Sequence, residues 1–272
     1  MKRSPFATIV LRWSGRMLVA AILLFVLLPG IVVAITAFND RAILAFPPQA
    51  WSLRWFWRAF SYSDFGRGFW NGLTVTLWAS SIALVVGAAF AIAIHRYNFI
   101  LKSLLEGILL SPLIIPHYTI GLGVLILASQ AGMGRGFPLV ILTHVLLVLP
   151  FVMRSTFISL KNLDSRLELA ASSLGARPGR VLLTVTVPLL LPGLLSGWLF
   201  AAILSFNEFT ATLFVSSQAT QTLPVAMYNY VREFADPTLA ALSVIYIAVT
   251  ALLLSLANAF VGLGKILNVD AH

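Results

Sequence analysis

The chain has 272 residues, 60% of them hydrophobic and only 10% charged, with a mean hydropathy of +0.96, a composition outside the range of soluble domains. It has no cysteine, which excludes disulfides, thiolate catalysis and cysteine-ligated metal. The net charge of +9 raises nucleic acid as a partner, but the distribution of that charge along the chain assigns it to membrane topology instead.

Six apolar runs, at 17–38, 71–94, 104–128, 137–153, 188–214 and 239–262, are read as membrane spans. Most exceed the ~20 residues needed to cross a ~30 Å hydrocarbon core, and the fourth is short. The first follows Lys2, Arg3, Arg12 and Arg16, is too long for a signal-peptide core and lacks a small-residue cleavage site, so it reads as a retained anchor. The segment 39–70 crowds Trp51, Trp55, Trp57, Phe60, Phe65 and Trp70 together, as expected of rings at headgroup level; a surface for an external protein is the alternative. Pro112 and Pro116 in the third run predict a bend.

Residues 163–187 form the longest polar interval between apolar runs. Ser165 and Glu168 have capping-box spacing, with Asp164 as an alternative N-cap. Leu163, Leu167, Ala170, Ala171 and Leu174 fall on one helical face, Gly175 suits a left-handed stop, and Pro178 follows where the helix cannot simply continue. Such an apolar face needs cover from this chain, from lipid or from another subunit.

Beyond it, Asn207 and Glu208 lie late in the fifth run, where a carboxylate either lines a solute path or bonds a neighbouring helix. His144 reads as a packing histidine, and Glu106 as a group near the membrane boundary. Residues 216–237 suggest a helix opening at Pro224 that partly re-enters. An even number of spans puts both termini on one side. Twelve Lys and Arg fall on that side, among them Arg96, Lys102 and the set Arg154, Lys161, Arg166, Arg177 and Arg180, and six on the other. The asymmetry predicts cytoplasmic termini and a cytoplasmic 163–187 loop. There is no nucleotide-binding loop, no metal-ligand cluster and no catalytic pair in the sequence, so neither an enzyme nor a metal site is expected.

With these residues in view, the 163–188 segment resembles the EAA loop of binding-protein-dependent ABC importer permeases, whose pattern is Glu-Ala-Ala, three residues, Gly, nine residues, Ile-x-Leu-Pro. Here Ala170 and Ala171 are followed by three residues, Gly175, nine residues and Val185-Thr-Val-Pro188. Leu169 stands where the motif has Glu, and Glu168 lies one place earlier. The segments Ser111-Pro-Leu-Ile-Ile-Pro116, Phe206-Asn-Glu-Phe-Thr210 and Leu223-Pro-Val-Ala-Met-Tyr228 are similar to the spermidine/putrescine-type permeases.

The resemblance implies an all-α integral membrane protein, a single permease domain of six transmembrane helices with the type I ABC importer fold, in the bacterial inner membrane. It implies a second permease subunit, forming a heterodimer, a dimer of ATP-binding subunits and a periplasmic solute-binding protein. The chain itself would hold no cofactor, ATP and Mg belonging to the ATPase. Coupling to that ATPase falls to Leu167, Glu168, Leu169, Ala170, Ala171, Leu174, Gly175 and Arg177, with Pro188 opening the fifth span. The solute path falls to His117, Tyr118, Asn207, Glu208 and Thr210, and the cargo to a polyamine or related cationic amine. A secondary carrier or channel working without an ATPase is the alternative.

Overall fold

The computed structural model describes residues 5–42 and 46–261, with side chains from 12 to 255 outside the 43–45 gap. Lys2, Arg3 and Lys265, which enter the charge asymmetry, and the last residue of the 239–262 run lie outside the described residues. The chain divides into two compact units: residues up to Tyr62 together with Tyr230–Val249, and Ser63–Asn229 with the remainder of the last helix.

In the first unit, α1 (Pro5–Thr36) begins well before the apolar run at 17–38, and its side chains from residue 12 to residue 31 are exposed. A helix apolar on all sides and uncovered along most of its length is suited to lipid. The chain then turns back. Asn39 bridges to Trp51, and the Trp55 indole N–H donates to the Asn39 carbonyl at 2.6 Å. Trp55 lies in the first turn of α2 (Arg54–Ser61) and is buried with Ala37, Ala240 and Ala241. Asp236 accepts from the Tyr230 hydroxyl at 3.1 Å and from the Thr238 amide at 2.9 Å, which caps the last helix, and pairs with Arg58 at 3.6 Å. The aromatic segment therefore splits into two populations. Trp55 holds the unit together, whereas Trp51, Trp57 and Phe60 are exposed.

In the second unit, α3 (Ser63–Arg96) absorbs Phe65, Phe69 and Trp70, residues the hydropathy reading leaves in a loop. The third apolar run is broken. α4 (Lys102–Leu110) and a 3-10 turn, Ser111–Leu113, meet α5 (His117–Gln130) at a bend of 109°. Pro112 and Pro116 flank the bend, and neither has an N–H to continue a helix. α6 (Phe137–Lys161) is a full 25 residues; Arg154 ends the apolar run at 153 without ending the helix, which continues to Lys161. α7 (Ser165–Ser173) and α8 (Pro178–Val181) form an elbow. From α8 the chain continues through a π-helical turn, Leu182–Thr186, into α9 (Val187–Phe206). Pro188 stands in the first turn of α9, and the helical path runs on continuously from Pro178 to Phe206. That helix stops at Phe206, short of the 214 read from hydropathy, and the chain loops through 207–211 before α10 (Thr212–Val215). α11 (Leu223–Glu233) starts beside Pro224 as expected, and α12 (Thr238–Val261) closes the described chain. Among the described residues, five helices are long and apolar enough to cross a membrane, or six if the bent pair counts as one span.

The frame of this unit is α3, α6 and α9. Ala79, Ala83 and Ala201 face Val145, Val148, Leu149, Val152 and Met153 in its core. Small residues let α6 and α9 approach closely. A Cβ at Gly193 would lie 1.8 Å from Ser159 Oγ, and one at Gly197 would lie 3.0 Å from Ser155 Cβ. The Ser155 hydroxyl also donates to the Gly193 carbonyl at 2.8 Å, the side-chain-to-backbone bond expected where two helices meet without water. Beyond the other end of the frame, the Asn71 amide donates to the Ala219 and Gln221 carbonyls, each at 3.0 Å, and fastens the chain leading into α11.

Replacing Gly193 by Leu should lower the stability of the solubilised protein by about 1–3 kcal/mol, the usual scale of overpacking, read as an earlier thermal transition. Adding Ser159→Ala should restore part of the loss, because it removes the atom nearest the new Cβ.

Candidate functional site

The elbow of α7 and α8 is built from local signals. Asp164, and not Ser165, is the N-cap of α7, its Oδ1 accepting from the Arg166 amide at 2.9 Å. Gly175 has φ +87°, a left-handed conformation that costs a side-chain-bearing residue, and it lets the chain reverse within two residues of α7. Arg177, in extended backbone, is the N-cap residue of α8. No side chain of α7 is buried. Leu174 is 90% exposed and Leu169 65%, and Leu167 and Ala170 are also open, whereas Glu168 and Ala171 are half-buried. The helix thus presents an apolar crest with nothing from the described chain upon it.

Glu168 does not close a capping box. Its carboxylate reaches Arg96, at the end of α3, and the hydroxyl of Thr186, in the π turn; Arg96 also donates to Thr186 at 2.9 Å. These three groups tie α7 to the ends of two frame helices. The pair is charge-assisted and only a quarter exposed on each side, so it is stronger than an ordinary surface ion pair. Thr186 is fully buried, and the extra residue of the π turn brings it to this point. Sequence reasoning misses Arg96 because 72 residues separate it from Glu168. Thr186 is the unspecified residue of the Ile-x-Leu-Pro pattern, so no motif singles it out.

The second group of site residues gathers at the loop after α9. Glu208 is buried, with both carboxylate oxygens engaged: Oε1 accepts from the Ala211 amide at 2.8 Å, and Oε2 lies 2.7 Å from His117 Nδ1. His117, by contrast, is 45% exposed at the start of α5. The contact joins the bend of the third run to the break in the fifth. Tyr118 and Asn207 are exposed nearby in sequence and Thr210 is half-buried; Tyr118 and Thr210 make no hydrogen bond to the Glu208–His117 pair among the described residues. The Asn207 amide donates to the Ile203 carbonyl at 2.8 Å, which closes the end of α9.

One shell deeper, His144 is fully buried with both ring nitrogens bonded, Nδ1 to Ser205 and Nε2 to Thr212, each at 2.8 Å. It is the satisfied packing histidine that the sequence suggests, and its partners stand on either side of the 207–211 break. His117, His144, Ser205 and Glu208 share a small cavity of about 50 Å³. No group of three or more metal-ligating side chains is present among the described residues. The chemistry available here is hydrogen bonding and charge placement along broken helices.

An elbow outside a helical frame, and broken spans with polar groups at the breaks, define a membrane transport subunit. The model of the binding-protein-dependent transport system inner membrane component family matches residues 83–263, and the chain belongs to that family. It is a permease subunit of an ABC importer, a multi-pass inner membrane protein; in such importers a partner ATPase handles ATP.

Among its relatives, the spermidine/putrescine permease PotC of Haemophilus influenzae is 30% identical over 235 residues, covering 86% of this chain and 91% of that protein. The putrescine permease PotI of Escherichia coli is 27% identical over 248 residues, 89% of this chain and 85% of that one. The molybdenum permease ModB of H. influenzae is 36% identical over 172 residues, 57% of this chain and 73% of that one. The fold is similar to that of a chain from the bacterial alginate ABC transporter in complex with alginate pentasaccharide-bound periplasmic protein, with a TM-score of 0.72, 15% identity and coverage of 94% and 96%. It is also similar to a chain of the inward-facing MetNI methionine ABC transporter, with a TM-score of 0.61, 20% identity and coverage of 72% and 94%.

Substitutions at two positions probe these contacts. Arg96→Ala should raise amide hydrogen exchange in residues 165–173 at least about tenfold, since a charged hydrogen bond is worth roughly 1.5–3 kcal/mol, and exchange within α6 should be unchanged. Glu208→Leu strands the buried Ala211 amide and should cost about 1–3 kcal/mol in thermal unfolding, with Glu208→Gln costing less because it keeps an acceptor there.

Proposed function

We propose that this chain is one of two permease halves of an importer for polyamines or related amines, driven through the α7–α8 elbow by a separate ATPase dimer that holds ATP and Mg. The observation that carries this reading is the exposed crest of Leu167, Ala170 and Leu174, with Leu169 exposed on another side, on a helix anchored to α3 and α9 through Glu168. An apolar crest on an otherwise polar loop calls for a protein surface, and the anchor lets movement of that surface act on the frame. Gly175 sets the reversal, and Arg177 begins the second arm. ATP drives transport to the extent that the docked ATPase favours one of two arrangements of the frame over the other.

The orientation follows from charge. Arg96, Lys102, Arg154, Lys161, Arg166, Arg177 and Arg180 all belong to segments on the elbow side, and that excess of positive charge supports a cytoplasmic elbow with both termini on the same side. The whole chain then acts as a single permease domain with a different second permease beside it, and a periplasmic binding protein presents cargo from the far side.

The names of the PotC and PotI relatives support an amine cargo, and His117, Tyr118, Asn207, Glu208 and Thr210 are the residues proposed for its path. Glu208 favours cationic cargo through its field, which a low-dielectric passage strengthens. The bonding of both its oxygens within the chain supports a second reading, in which Glu208 is a brace for the two broken helices.

The test is uptake by the complete transporter in proteoliposomes. Labelled spermidine or putrescine should accumulate only with ATP and the binding protein, and excess molybdate should not compete. Gly175→Arg should cut uptake at least tenfold, and Leu174→Cys should cross-link to the ATPase. Accumulation without ATP would support a carrier, and molybdate uptake would reassign the cargo. Wild-type uptake and selectivity in Glu208→Gln would leave Glu208 a brace.

A further inference from the structure

A cavity of about 350 Å³ opens among α3, α4 and α6, on the elbow side of the frame. Ile94, Leu110 and Met153 supply apolar wall, and Glu106, Arg154 and Lys161 supply charge. Arg154 and Lys161 stand seven positions apart on α6, and their side chains are exposed. Neither has a carboxylate within salt-bridge distance among the described residues, and Glu106 is likewise without an ion pair. Lys161 lies 4.9 Å from the Phe157 ring, which leaves its ammonium otherwise open to a ligand. Two unpaired cations and one acceptor therefore border an apolar cleft near the end of a membrane-spanning helix.

From this arrangement we infer a phospholipid site, in which Arg154 and Lys161 hold the phosphodiester, Glu106 accepts from a headgroup N–H or O–H, and an acyl chain runs along Ile94, Leu110 and Met153. The sequence of chemistries along the cleft, charged at one end and apolar beyond, is that of an amphiphile entering from a leaflet. Basic pockets between transmembrane helices recognise lipid headgroups in this way, and the long stems of Arg and Lys pack on apolar surface while their charges reach the phosphate. A protein partner would have to bring a carboxylate out of water to neutralise these cations, whereas a lipid phosphate is already at this level. The headgroup needs a donor for Glu106, which phosphatidylethanolamine and phosphatidylglycerol have and phosphatidylcholine lacks.

The experiment uses the assembled transporter and does not depend on its cargo. Purified complexes exchanged into nanodiscs of phosphatidylglycerol, phosphatidylethanolamine or phosphatidylcholine are released into detergent, and retained lipid is read by native mass spectrometry. One lipid per copy of this chain is expected from the first two and none from the third; preference between those two identifies the headgroup. The Arg154→Gln/Lys161→Gln double variant should lose retention at least tenfold, and Arg154→Lys should keep it. Equal retention in the double variant, or equal retention of phosphatidylcholine, overturns the site. If the double variant does not assemble, a photoreactive residue replacing Ile158, which also lines the cavity, decides instead: adducts with phospholipid support the site, and adducts only with another subunit overturn it.

Discussion

Close approach of α6 and α9 is the constraint from which the larger unit follows. Helices immersed in lipid gain little from hydrophobic burial, because the tails around them are as apolar as their own side chains. Dispersion contacts and a few polar bonds must supply the attraction, and both require backbones that come near each other. Gly193 and Gly197 remove the Cβ atoms that would hold Ser155 and Ser159 away, and the Ser155 bond to the Gly193 carbonyl becomes available only at that distance. Alanines from α3 and α9 extend the same economy of size through the core.

On this frame the polar contacts sit where regular helix stops. Asp164 closes the start of α7, and Glu168 with Arg96 and Thr186 holds it against two frame helices. At the other end of α9, Glu208 satisfies the Ala211 amide and reaches His117, while His144 joins Ser205 to Thr212 across the same break. At membrane depth a backbone group released from a helix needs a partner within the protein. The polar residues of this chain meet that need, and the same residues are the candidates for transport. A brace and a path are compatible demands on one carboxylate, since both require it to be held in a fixed place.

The elements whose signals are local were legible. Gly175, Pro178 and the crest spacing describe the elbow within a dozen residues, and Pro112 and Pro116 announce the bend in the third run. Hydropathy located the spans but not their ends. Arg154 ends an apolar run without ending α6, and the apolar Phe209, Leu213 and Phe214 conceal the stop after Phe206. The anchor of Glu168 is distant in sequence, and a π turn has no composition of its own. The spacing of Ser155 with Ser159 and of Gly193 with Gly197 was visible, but it acquires meaning only once the two helices are known to be neighbours.

The π turn between the elbow and α9 carries a consequence for how the two are phased. In an α-helix each residue advances the side-chain direction by about 100°, so a turn holding one residue more shifts the azimuth of everything after it. Leu182–Thr186 therefore works as a rotary offset, letting the glycine seam of α9 meet α6 while Thr186 faces inward to the Arg96–Glu168 pair. A homologue with an unbroken α-helical ladder here would need a different residue in place of Thr186, or a seam drawn along another stripe of α9.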